Sequence, residues 1–140
     1  MSAEAPAILR AQAVSDAAHL VFAEGDYERA HAAYSEALAI QQDMRNPEDV
    51  VYSLNGLAGV ALDRGRPRQA TRLFAASAAL AEKTGVVIDL VDRDQVLRDV
   101  AAARAQLGEE AYEAACADGR SLPIESALAE VAKQVGATVS

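Results

Sequence analysis

The chain has 140 residues, a formal net charge of −8, an apolar share of 51% and a single cysteine. That length suits one domain burying roughly two-thirds of its unfolded surface, and the apolar share excludes a disordered chain. The acidity argues against direct nucleic-acid binding, in which Lys and Arg must displace phosphate counterions.

One thiol, Cys116, has no internal disulfide partner, and His19 and His31 are too few for a zinc set. No early basic-plus-apolar leader and no run of about eighteen apolar residues is present, so a soluble, cytoplasmic protein with no membrane contact is expected. Alanine is abundant and aromatics are few, which implies close helix–helix approach rather than a core of large side chains.

In chain order, a first helix is expected from near Ala5 to Glu24, since Pro6 is tolerated only at a helix start and Gly25 is a stop. Asp26 is a candidate N-cap for a second helix, 27–44, with an inward stripe of Ala30, Ala33, Tyr34, Ala37 and Leu38. Asn46-Pro47-Glu48-Asp49 supplies a cap, a proline at the first helical position and acids in the first turn. The helix it opens carries Leu54, Leu57, Ala58 and Ala61 inward and ends by Gly65. Pro67 opens the next, which runs to Thr84 with Ala70, Leu73, Phe74 and Ser77 inward. Val86 to Leu90 is read as a linker rather than a strand, because nothing else in the chain pairs with it. Helices follow at 89–107, stopped by Gly108, and 109–118, closed by Gly119. A terminal helix near 122–135 acts as a cap.

The helices repeat. Ala23-Glu-Gly-Asp-Tyr-Glu-Arg-Ala30 is echoed by Asp63-Arg-Gly-Arg-Pro-Arg-Gln-Ala70, with Gly25/Gly65, Ala30/Ala70, Tyr34/Phe74 and Ala18/Ala58 all forty residues apart. A fixed period of this size signals stacked helix pairs that bury their apolar faces against one another. The echo resembles the tetratricopeptide (TPR) repeat, with its small residue, turn glycine, small residue, aromatic and small residue at Ala18, Gly25, Ala30, Tyr34 and Ala37, then at Ala58, Gly65, Ala70, Phe74 and Ser77. Two departures are Val14 and Leu54 at the tryptophan-type position, and a period of forty instead of thirty-four.

Longer repeats, and the phrase Leu107-Gly-Glu-Glu-Ala-Tyr112 followed by Gly119-Arg-Ser-Leu122, look like the C-terminal region of large bacterial regulators of the MalT and LuxR type. The likeness covers roughly residues 15–130. It implies an all-α, right-handed superhelix of about seven helices in one domain, 1–140, with units at 5–44, 46–84 and 89–118 and a capping helix at 122–135. The nucleotide-binding loop and basic recognition helix of those regulators have no counterpart here.

Chemistry is sparse. Glu109 and Glu110 read as helix-start acids, Arg64, Arg66, Arg68 and Arg72 as a solvated helix end, and Cys116 as a thiol packed in an alanine-rich helix. No catalytic residue, cofactor site or metal site is expected. In TPR proteins one helix face lines a concave groove. Here that face holds Ser15, Asp16, His19 and Phe22 in the first unit and Tyr52, Asn55, Gly56, Gly59 and Asp63 in the second. Interior glycine costs a helix about 1 kcal/mol against alanine. Gly56 and Gly59 therefore either clear space for an inserted peptide or let a neighbouring helix pack closely.

The reading is a non-catalytic scaffold for a protein or peptide partner, related to bacterial transcription regulation and signalling, with a homodimer or an end-docked partner covering its raw ends. The alternative is a small-molecule sensor with ligand in the groove. An enzyme using Cys116 or the acids is a weaker third.

Overall fold

The structure, a computed structural model, describes residues 25–26, 28–33, 35–36, 47–88, 90–123 and 126. Among them the chain is all-helical, with no strand. Residues 28–33 and 35–36 are helical, and four complete helices follow: α1 (Pro47–Asp63), α2 (Pro67–Thr84), α3 (Leu90–Leu107) and α4 (Glu109–Ser121). The expected first helix at 5–24, the end of the second and the capping helix lie outside the described residues, apart from helical Ser126.

Local chemistry explains the boundaries. Asp26 caps as expected: the Arg29 amide donates to its Oδ1 at 3.3 Å. α1 opens with Pro47 followed by Glu48 and Asp49, whose charges suit the positive helix start. It closes with two bonds, from Arg66 N–H to the Ala61 carbonyl (2.9 Å) and from Gly65 N–H to the Leu62 carbonyl (3.0 Å). This pattern needs a left-handed residue, and Gly65 supplies it at φ +76°. Its partner in the echo, Gly25, has φ +84°. Residues 86–88 carry no regular structure, and α3 begins where the linker reading expects a helix.

The core is built on α1, of which ten residues are buried, including Leu54, Leu57, Ala58 and Ala61 of the expected stripe. Ala70, Leu73, Phe74 and Ser77 of α2 are buried against it. Ala30 and Ala70, forty apart, are both completely buried, as close helix contacts require. Ser77 is satisfied across the pair: its hydroxyl donates to the Val51 carbonyl of α1. Ala30→Leu or Ala70→Leu is expected to cost about 1–3 kcal/mol by overpacking. A thermal melt unchanged in either variant would remove that alanine from the contact.

α4 departs from expectation. It does not close at Gly119 but continues to Ser121, and Gly119 is buried inside it. The glycine is there for proximity: a Cβ at 119 would lie 2.3 Å from the Arg72 carbonyl oxygen and 2.7 Å from the Ala75 Cβ of α2. α4 therefore packs principally on α2 and only lightly on α3, its neighbour in sequence. An exposed ion pair, Arg120 to Glu82 at 2.9 Å, also joins α4 to α2.

Candidate functional site

Five of the nine groove residues lie on α1 within the described chain. Ser15, Asp16, His19 and Phe22 lie outside it. The helical spacing puts Tyr52, Asn55, Gly56, Gly59 and Asp63 along one side of α1. Tyr52, Asn55 and Gly56 are half-buried, Gly59 is buried and Asp63 is exposed at the C-terminal end. The face thus offers an amphipathic ring and an amide at partial exposure, and is covered at Gly59.

The fold adds a residue that sequence reasoning missed. Asp99 of α3 is half-buried, accepts a hydrogen bond from Gln95 Nε2 at 3.0 Å, and lies close enough to Asp63 to repel it. Its pKa is raised mainly by burial and further by Asp63, against the opposing effects of the Gln95 hydrogen bond and Arg98. Protein around the Asp63 carboxyl raises that pKa too. No spacing rule links residues 63 and 99. Only the packing of α3 near the end of α1 brings Asp99 within range of the Asp63 charge.

A second missed group is His31. Its ring is buried beneath the α1–α2 turn, and its pKa falls from 6.5 to about 4 because burial, then the charges of Arg64 and Arg66, disfavour the imidazolium. Two of the four arginines of the turn thus act on a buried histidine, whereas Arg68 is exposed.

The remaining polar groups look structural. Glu109 sits in the first turn of α4 and takes a hydrogen bond from Arg104 Nε at 2.7 Å, which holds its carboxyl below the usual carboxylate range. The Arg104 guanidinium also lies 5.0 Å from the centre of the Tyr112 ring. Burial raises the Tyr112 pKa, and a hydrogen bond with the half-buried Cys116 adds to it. Cys116 thus packs against a phenol. Among the described residues no group of three His, Cys, Asp or Glu side chains is placed to hold a metal ion, and no helix is long and apolar enough to cross a membrane.

Among the described residues the geometry defines a helical protein with a core of leucine, valine and alanine and a mixed polar–aromatic face on α1. No protein-family model, curated protein or solved structure matches the chain.

Proposed function

We propose that the chain is a non-catalytic, TPR-like helical-repeat scaffold that binds a protein or peptide segment along the Tyr52–Asp63 face of α1, as a partner or sensor module related to bacterial transcription regulators. The supporting observation is the combination on one face of half-buried Tyr52 and Asn55 with the exposed acid Asp63 at its C-terminal end. Tyrosine brings rigid contact area with a polar tip, and asparagine offers a donor and an acceptor to an extended backbone. The acid favours a neutral or basic segment over an acidic one. Matching burial of Ala30 and Ala70, and left-handed Gly25 and Gly65, support a repeat with a forty-residue offset. A homodimer or an end-docked partner is the assembly proposed for this array. A monomer in sedimentation at high concentration, with no partner recovered, would count against that assembly.

Partners captured from the source cell and identified by mass spectrometry supply the ligand for the decisive comparison. Tyr52→Ala combined with Asn55→Ala is expected to weaken binding at least about tenfold, or roughly 1.4 kcal/mol, with little change in melting temperature. Loss of stability without loss of affinity per folded molecule would make both residues structural and place the binding face elsewhere.

A further inference from the structure

The helices are held very unequally. α1 buries ten residues and α2 seven, whereas between 93 and 107 on α3 only Ala103 is buried. Val96 and Val100 add partial contacts with the core, and Leu97 remains 59% exposed on the outer side. The polar links along α3 do little to tie it down. Gln95 to Asp99 and Arg98 to Gln95 run within the helix, and the Arg104–Glu109 pair is exposed, where such pairs contribute little. Asp99 faces the like charge of Asp63.

Glycines in the left-handed region stand before and after α3. Before it, Gly85 at φ +77° leads into irregular residues 86–88, with Val87 85% exposed; after it, Gly108 has φ +84°. Release of α3 need not carry α4 with it. α4 is seated on α2 by its own close contact at Gly119.

We propose that α3 is a releasable strap: it opens as a unit by local unfolding while α1, α2 and α4 stay packed, uncovering the strip of core beneath Val96, Val100 and Ala103. Apolar burial is what distinguishes a segment that opens alone from one that opens only with the whole domain, and between 93 and 107 α3 has far less of it than α1 or α2. The inference rests on helix packing alone and stands whether or not the α1 face binds a peptide.

Native-state amide hydrogen exchange on the full chain tests it. Amides of residues 96–105 are expected to exchange roughly a hundredfold or more faster than those of residues 54–62 and 70–77. Val100→Ala is expected to speed exchange in α3 by roughly tenfold and leave α1 and α2 within about twofold. Leu54→Ala should do the reverse, lowering protection in α1 and α2 while α3 keeps its rate. Equal protection across all helices, or a common shift of every helix in both variants, would overturn the strap.

Discussion

Gly119→Ala is expected to destabilise the chain by about 2–3 kcal/mol, because the added Cβ strikes backbone. On an ordinary helix the same change stabilises by about 1 kcal/mol through helix propensity, so the sign alone is informative. Here the new atom would meet the Arg72 carbonyl oxygen at 2.3 Å, the Ala75 Cβ at 2.7 Å and the Arg72 Cα at 2.9 Å. None of the three is the end of a flexible side chain, so relief requires α2 and α4 to move apart. For a domain of this size that cost corresponds to a fall in Tm of roughly 7–10 °C. Adding Ala75→Gly removes one obstacle and leaves the Arg72 backbone, so it is expected to restore only part of the loss. A melt showing Gly119→Ala at or above wild-type stability would mean that the helices do not cross at this point.

Stability is also expected to fall as pH drops from about 7 towards 4, with His31 supplying up to about 3 kcal/mol of the change. The histidine pKa is 6.5 in the unfolded chain and about 4 in the folded one. Between those values the unfolded state binds the extra proton, so stability rises with pH. The contribution is complete above about 6.5 and is lost progressively as pH falls through the folded value. The cause is burial first, then repulsion from Arg64 and Arg66. Asp49, Asp63 and Asp99 act in the opposite sense, since their raised folded pKa values let the native state gain protons first on acidification. His31→Gln leaves those carboxylates in place and isolates the histidine. Urea unfolding between pH 4.5 and 7 should show a clearly shallower slope in the variant. Parallel curves for the two proteins would show that His31 is not held neutral by the fold.

Much of the fold was legible because its local rules are short-range. Pro47 and Pro67 mark helix starts wherever they stand after a turn, and Gly65, Gly85 and Gly108 mark ends because helix closure needs a left-handed residue there. The apolar period alone places Leu54, Leu57, Ala58, Ala61, Ala70, Leu73 and Phe74 inside, where they are buried. The α1 side of the candidate face follows from the same periodicity, because residues 52, 55, 56, 59 and 63 share one side of a helix of any sequence. Asp99 was not legible, since its place beside Asp63 depends on how α3 is laid down.

By itself, then, the sequence determined, among the described residues, helix identity, the limits of α1, α2 and α3, and the inward stripes of α1 and α2. These depend on backbone conformation and side-chain period within a few residues. Tertiary structure alone decided which helix each stripe meets. Gly119 carries the same residue type as the true stops, yet α2 lies so close that the glycine serves contact and α4 runs on to Ser121. His31 became a buried neutral imidazole, and Asp99 came within range of the Asp63 charge, because helices distant in sequence were packed together. Burial and charge proximity are properties of the assembled neighbours, and no local pattern encodes them.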